Sequence, residues 1–275
     1  MSFLGRRNKK VVRDERRVID PVEVEYPFTA RTTSRALASP VLSSPVFPPY
    51  TAPNGISDVT VVIVNFKTLW LTRKAYKSLL RQYDLPVIIV DNGSGDTNTT
   101  EWVRAVDGIC NTSNLGHGPA MDAAIKKVTT PYVLTLDSDC TVLHKGWLEE
   151  MLDFFLHSKA YAIGWLRYVD RLSGVPLEWH LTKQPGERFV PYVHPAVGLY
   201  DVAKYKTLRP FINHGAPALW NMIDAEASGY LTKSYPVFDY VEHLIAGTRR
   251  MYDGRWNPNS SESPTEWKAK GDYPI

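Results

Sequence analysis

Residues 132–140 read YVLTLDSDC, an apolar run that is followed by two aspartates separated by one serine. Two earlier segments share this design: VTVVIVN at 59–65 ends in Asn65, and PVIIVD at 86–91 ends in Asp91. Runs that are β-branched and apolar on both faces are typical of strands buried in a parallel sheet. The three segments therefore predict neighbouring strands that each end in a polar side chain.

The segments between and after these strands have helical or strand-like spacing. The predicted elements after the first strand are, in chain order, helix 69–83, strand 86–91, helix 97–106, strand 108–111, helix 119–128, strand 132–137, helix 145–157, strands 160–169 and 191–200, and helix 216–228, which Gly229 ends. Strands and helices that alternate over about a hundred residues indicate βαβ units with right-handed crossovers. The predicted fold class is α/β, a Rossmann-type sandwich with a mostly parallel central sheet and helices on both faces.

The composition excludes several classes of protein. The chain has 275 residues, of which 44% are hydrophobic and 22% charged, as in an ordinary globular protein. Its two cysteines, Cys110 and Cys140, are too few for a disulfide scaffold or a four-cysteine zinc site. No apolar run approaches the roughly twenty residues that cross a bilayer, and the N-terminus lacks the apolar core of a secretion signal. We therefore expect a soluble, cytoplasmic protein.

Both ends of the chain differ in composition from its middle. Residues 1–17 hold seven basic and two acidic side chains, although the whole chain carries a net charge of only +3. Residues 21–57 are rich in Pro, Ser and Thr, so we predict a partly disordered leader at 1–57. The folded domain is predicted at 58–250, with halves at 58–158 and 159–250, and a polar tail at 251–275. The basic residues 1–17 are either a solvated leader or an arm that contacts a polyanion such as DNA.

The polar strand ends are the predicted site, because ligands of open parallel sheets gather at the carboxyl ends of the strands. Asp91 alone would equally well cap the turn NGSGD that follows it. Asp137 and Asp139, one residue apart in extended geometry, project to the same side and would converge on one Mg²⁺ or Mn²⁺ ion. In isolation such a pair would more often be a helix cap or a turn. Its position directly after a buried strand favours the metal site.

The order VTVVIVNF, VDNGSGD, NTSNLGHGPAMDAAI and PYVLTLDSDC followed by a helix resembles the nucleotide-binding half of family 2 glycosyltransferases. These are GT-A-fold enzymes that use nucleotide-diphosphate sugars. The resemblance is good over residues 59–155 and weak elsewhere. It implies a GT-A-like fold and a nucleotide-diphosphate sugar as donor.

The resemblance also implies roles for individual residues. Asn65 and Phe66 would line the nucleotide pocket, and Asp91 would hydrogen-bond the base, usually uracil in this family. Asp137 would contact ribose or the metal, and Asp139 would be the principal metal ligand. The remaining donor-binding positions implied in this half shape the turn after the second strand and the glycine-containing loop: Asn92, Ser94, Asn114, Gly116 and Gly118.

The second half departs from the family pattern. His243 would complete the metal site and Arg249 would grip the diphosphate, although His243 is almost as readily explained as a structural histidine. Family members carry an acidic pair whose aspartate is the general base, but the equivalent positions here are Pro217 and Ala218. We predict His214 as the base, because an imidazole of ordinary pKa suits neutral conditions, with Asp224 as the alternative.

The predicted function is transfer of a sugar from a nucleotide-diphosphate sugar, a UDP-sugar by resemblance, to an acceptor hydroxyl with inversion of configuration. It would require Mn²⁺ or Mg²⁺, and its acceptor is unknown, modified DNA being one option. The alternative is a catalytically inactive nucleotide-sugar or nucleic-acid binding protein, which the missing acidic pair favours. A nucleotidyltransferase lacks support, because no glycine-rich, arginine-containing loop follows the first strand. A dehydrogenase is disfavoured, because the glycine loop at 116–118 follows the third strand rather than the first.

Overall fold

The computed structural model describes residues 55–177, 186, 188–212 and 216–244. Nearly all of the predicted leader at 1–57 lies outside these residues, as do the tail at 251–275, His214 and Arg249. The proposed boundaries of the leader, the domain halves and the tail therefore stay predictions.

Strands and helices alternate through the first half of the described chain. The strands are β1 Val59–Asn65, β2 Val87–Asp91, β3 Ile109–Cys110, β4 Tyr132–Leu136, β5 Cys140–Val142, β6 Ala162–Asp170, β7 Phe189–Asp201, β8 Thr232–Ser234 and β9 Val241–His243. The α-helices are α1 Leu69–Leu80, α2 Thr97–Ala105, α3 His117–Ile125, α4 Trp147–Ser158, α5 Val202–Tyr205 and α6 Leu219–Ala227. Within these described segments, no helix has both the length and the apolar character needed to cross a membrane.

Seven strands form one sheet in the order β3-β2-β1-β4-β7-β6-β8. Strands β1 to β4 are mutually parallel, β7 runs antiparallel to both β4 and β6, and β8 pairs parallel to β6. The prediction of a mostly parallel α/β sheet is thus confirmed. The carboxyl ends of β1, β2 and β4 lie along one edge, where the polar strand ends predicted from the sequence meet.

Alternate residues of β1 pack into two separate cores, as expected for a strand covered on both faces. Val62 and Val64 belong to a core that includes residues of α3 and α6, whereas Val61 and Ile63 belong to one that includes residues of α1 and α4. Burying apolar side chains contributes about 25 cal/mol per Å² removed from water, and these two cores hold the sheet edge in place. The prediction of helices on both faces is therefore confirmed.

The structure differs from the sequence-based expectation directly after the two aspartates. We expected the next element to be a helix, but the three-residue strand β5 intervenes and pairs antiparallel with β9 in a separate two-stranded sheet. Helix α3 also begins two residues earlier than predicted, at His117, because Pro119 lies in its first turn, where a missing N–H costs no hydrogen bond. The first of these differences brings His243 to the site.

Candidate functional site

Asn65 and Asp91 lie side by side, because they are register partners at the ends of the parallel strands β1 and β2. The Asn65 side chain is fully buried, and its Nδ2 donates to Asp91 Oδ1 at 3.2 Å and to Ser94 Oγ at 3.0 Å. Its Oδ1 accepts hydrogen bonds from the hydroxyls of Thr68 at 3.2 Å and Thr72 at 2.8 Å. The amide therefore uses all four of its hydrogen-bonding positions inside the protein. Asn65 therefore affects a bound ligand only by orienting the side chains that it hydrogen-bonds.

Asp91 is held by the turn that follows it. Ser94 N donates to Asp91 Oδ1 at 3.1 Å, and Ser94 Oγ in turn accepts from Lys67 N at 2.8 Å. The alternative interpretation, that Asp91 caps the turn after β2, therefore holds for its Oδ1 atom. Among the described residues, the hydrogen bonds that the Asp91 carboxylate accepts all fall on that one oxygen. Oδ2 is the atom left for a ligand.

Asn92 ties the glycine-containing loop to the sheet edge. Its Nδ2 donates to Asn114 Oδ1 at 2.9 Å and to the Gly116 carbonyl at 3.2 Å. Its Oδ1 accepts from Asn111 Nδ2 and from Leu115 N, each at 3.1 Å. Two further residues were predicted to bind the donor. Gly118 is buried in α3. Phe66 is partly exposed, and the Lys67 ammonium lies 5.3 Å from its ring centroid. We call Asn65, Thr68, Asp91, Asn92 and Ser94 the amide cluster.

The two predicted aspartates face different partners. Asp137 Oδ1 lies 3.5 Å from His117 Nε2, and Asp139 Oδ1 lies 3.4 Å from His243 Nε2. Asp137 Oδ1 is buried without a hydrogen bond in the described part of the chain. Burial raises the pKa of Asp137, the Asp139 charge raises it further, and His117 and His243 oppose both effects. A buried carboxylate in this state favours an incoming cation or hydrogen-bond donor.

Three potential metal ligands lie close together: Asp139, Cys140 and His243 offer ligand atoms within 4.8 Å of one another. Asp139 and His243 are thereby brought together as predicted, whereas Asp137 lies outside this group of three and Cys140 was not predicted to join it. A carboxylate oxygen and an imidazole nitrogen suit Mn²⁺, whereas Mg²⁺ prefers oxygen ligands alone. The residues present therefore fit Mn²⁺ better than Mg²⁺. We call Asp137, Asp139, Cys140 and His243 the acidic cluster.

A hydroxyl bridge connects the two clusters. Thr68 Oγ1, which bonds Asn65, lies 3.3 Å from the hydroxyl of Ser138, the residue between the two aspartates. The end of β1 and the turn after β4 are thus in direct contact. The amide and acidic clusters belong to one site.

His194 on β7 lies beside the acidic cluster and was not predicted from the sequence. Its ring packs on Trp165 with a centroid separation of 4.7 Å, and Trp165 also contacts His243. Burial lowers the pKa of His194 to about 3, aided by the positive charges of Arg167, His243 and His117. Its Nδ1 accepts a hydrogen bond from Ala196 N at 3.1 Å, so the proton of the neutral ring is on Nε2. His194 is therefore a fixed hydrogen-bond donor with no free lone pair for a proton.

Of the two predicted bases, the structure describes only Asp224. His214, like Arg249, lies outside the described residues. Asp224 on α6 accepts from the Arg209 guanidinium at 2.8 Å and 2.6 Å on its two oxygens. This hydrogen bonding lowers the pKa of Asp224 and makes it a weaker proton acceptor. Geometry therefore does not favour Asp224 as the base.

Comparisons with known proteins agree with this architecture. The family model described as glycosyl transferase family 2 matches residues 60–253, more than half of the chain. Among curated proteins, none matches the sequence.

Solved structures add a likeness in fold. The mannosyltransferase PcManGT from Pyrobaculum calidifontis, in complex with GDP-Man and Mn²⁺, is similar with a TM-score of 0.51 and 17% identity, over 69% of this chain and 58% of that one. The chain thus spans little more than half the length of that enzyme. S. aureus TarS 1–349 in complex with UDP gives a TM-score of 0.38 at 18% identity, over 54% of this chain and 48% of that one. A further structure of TarS 1–349 gives 0.46 at 15% identity, over 74% and 67%.

Proposed function

The chain belongs to glycosyltransferase family 2, and from this premise we propose that it transfers a sugar from a nucleotide-diphosphate sugar to an acceptor hydroxyl. The observation that carries the proposal is the contact between the amide and acidic clusters through Thr68 and Ser138. One cluster offers a hydrogen-bond acceptor suited to a base, and the other offers cation ligands suited to a diphosphate. A nucleotide-diphosphate sugar is a ligand that needs both kinds of group.

Asp91 supports a UDP-sugar as the donor. Its Oδ1 is occupied by Asn65 and Ser94, so a single carboxylate oxygen is left for the base. Uracil presents one ring N–H, which a single oxygen satisfies, whereas guanine presents a ring N–H and an amino group together. Asn92 holds the loop at 111–116 against this position and shapes the pocket around the base.

The acidic cluster would act on the diphosphate. Asp139 and His243 would hold Mn²⁺ or Mg²⁺, which when bound neutralises the charge that grows on the departing nucleoside diphosphate. His194 would donate its Nε2–H to a substrate oxygen, because that proton is fixed by the bond at Nδ1. Trp165 and Arg167, whose Cζ lies 4.8 Å from the Trp165 ring centroid, would line the acceptor side.

We propose attack of the acceptor hydroxyl on the anomeric carbon from the face opposite the diphosphate, which inverts the configuration. The attacking oxygen loses its proton to a base, for which His214 remains our proposal. The C–O bond to the diphosphate breaks as the new glycosidic bond forms. The acceptor is unidentified, and a polyanion bound through residues 1–17 remains one proposal for it. Deleting residues 1–17 and measuring the salt dependence of DNA binding tests that arm.

The decisive experiment is a panel of nucleotide sugars, each incubated with the full chain with and without Mn²⁺. We expect one donor to raise the melting temperature and to be hydrolysed or transferred, releasing free nucleoside diphosphate. Binding without release would instead identify an inactive nucleotide-sugar binding protein. In a parallel assay with nucleoside triphosphates and sugar phosphates, release of pyrophosphate would identify a nucleotidyltransferase. Either result would overturn the proposed transfer.

A further inference from the structure

We propose that the thiol of Cys140 is a protein ligand of the cation at Asp139 and His243, and that this site prefers a thiophilic ion such as Zn²⁺ or Co²⁺ over Mg²⁺. The inference rests on the proposed function only in assigning a cation to this cluster. It deepens that function by stating which class of ion the chain selects.

The two-stranded sheet sets the geometry. Cys140 of β5 and His243 of β9 are direct partners in an antiparallel register, and directly opposite residues project their side chains to the same face. The pairing continues one residue further, where Leu244 N donates to the Asp139 carbonyl at 2.9 Å. Backbone hydrogen bonds thus fix Asp139 and Cys140 against the strand that carries His243.

The ligand atoms are nearly close enough for one tetrahedral ion. The oxygen, sulfur and nitrogen of Asp139, Cys140 and His243 lie within 4.8 Å of one another. Bonds of about 2.0–2.3 Å to one ion would place such atoms about 3.3–3.8 Å apart. Small shifts of the three side chains toward a common centre would close the difference.

The Cys140 thiol is buried close to the two aspartates. The Cys140 side chain is only 1% exposed, and its Sγ–H points to the Ala196 carbonyl at 3.6 Å. Burial, together with the charges of Asp137 and Asp139, raises the pKa of the thiol well above its usual value. A cation reverses this effect, because a coordinating thiol loses its proton to solvent when the metal–sulfur bond forms.

The ligand set then determines the selectivity. Thiolate and imidazole are preferred by Zn²⁺ and Co²⁺, whereas Mg²⁺ takes oxygen ligands and keeps its waters. A site with one oxygen, one nitrogen and one sulfur is thus biased against Mg²⁺. Replacing the sulfur by oxygen in Cys140→Ser should shift the preference toward Mn²⁺ and Mg²⁺.

The test uses Co²⁺ as a spectroscopic probe on the full chain. Cys110→Ser serves as the reference, because the chain has two cysteines and this variant leaves Cys140 as its one thiol. We expect a near-ultraviolet thiolate-to-Co²⁺ charge-transfer band in wild type and in Cys110→Ser, and its loss in Cys140→Ser. Zn²⁺ affinity, measured by competition with a chromophoric chelator, should fall by at least about tenfold in Cys140→Ser, with Mn²⁺ affinity nearly unchanged.

The outcomes separate the inference from the proposed function. Co²⁺ binding by Cys110→Ser without the charge-transfer band would overturn the Cys140 ligand while leaving the transferase proposal intact. The band together with no donor binding and no nucleoside diphosphate release would support the thiolate site and overturn the transferase proposal. The Cys110→Ser spectrum decides the question even if Cys140→Ser fails to fold.

Discussion

The amide and acidic clusters meet at Thr68 and Ser138, but they are built on opposite principles. In the amide cluster, the buried Asn65 satisfies all its hydrogen-bonding positions inside the protein. In the acidic cluster, a buried oxygen of Asp137 has no hydrogen bond among the described residues, and Asp139 lies within 3.4 Å of His243. Asn65 is satisfied without a ligand, whereas the acidic cluster keeps a buried carboxylate oxygen that a cation would satisfy. Removing a side chain should therefore cost stability in the amide cluster and activity in the acidic cluster.

The largest expected effect is on turnover in the acidic cluster. Asp139→Asn keeps the size of the side chain but removes the charge, and we expect release of nucleoside diphosphate to fall by about 10²–10³-fold. At pH 8, where the stabilisation that His243 gains from Asp139 has declined, the melting temperature of the metal-free protein should not fall, because a negative charge next to Asp137 is removed. Product release and thermal unfolding measure the two effects. Asp107→Asn, at an exposed position after α2, is the control. Full activity in Asp139→Asn would contradict the proposed role.

The next largest effect is on stability in the amide cluster. Asn65→Ala leaves Asp91, Ser94, Thr68 and Thr72 without their shared partner, and we expect the free energy of unfolding to fall by about 2–3 kcal/mol. Urea denaturation measures this change. The matched control is Asn98→Ala, because Asn98 is exposed on α2. A loss no larger than that of the control would mean that the cluster is not the preorganised element described above.

The part of the fold that could be predicted from the sequence is the set of long buried strands. Strands β1, β2 and β4 matched their predicted limits within a residue, because apolar runs bounded by turn residues mark a buried strand locally. The pairing of β5 with β9 was missed. Each has only three residues, and the partners lie about a hundred positions apart, so neither carries a periodic pattern of its own.

The candidate site was likewise predictable only in part. Asp91 and Asp137 could be singled out because each lies at the end of an apolar strand, and Asp139 because it lies two residues after Asp137. Cys140 directly follows Asp139 in the sequence, but its position opposite His243 depends on the unpredicted sheet. His194 lies within the long strand β7. It is related to the site through Trp165, which also contacts His243, and through Ala196, whose carbonyl accepts a hydrogen bond from Asp137 N at 2.9 Å. A local sequence pattern does not contain that relation.

A smaller effect is expected on nucleotide binding. Asp91→Asn should weaken UDP binding by about tenfold, because one charge-assisted hydrogen bond to the base becomes a neutral one. Isothermal titration calorimetry with UDP, in the presence of Mn²⁺, measures the affinity. The exposed Asp84→Asn, just before β2, controls for the loss of a negative charge. Unchanged affinity in Asp91→Asn would place the base elsewhere and would weaken the distinction between the clusters.

The smallest effect is a pH dependence confined to the acidic cluster. Burial lowers the pKa of His243, but the hydrogen bond to Asp139 and the charges of Asp139 and Asp137 outweigh it, so the net pKa is raised. A raised pKa in the folded state stabilises the fold below about pH 6.5, the ordinary histidine value, and this contribution is lost as the pH rises through the raised pKa. In chelator, the stability of wild type relative to His243→Gln should therefore be greatest near pH 6 and decline toward pH 8. Urea denaturation at several pH values measures this trend, with the exposed His144→Gln as control. A stability difference between wild type and His243→Gln that grows with pH would show that the aspartates do not stabilise the His243 imidazolium.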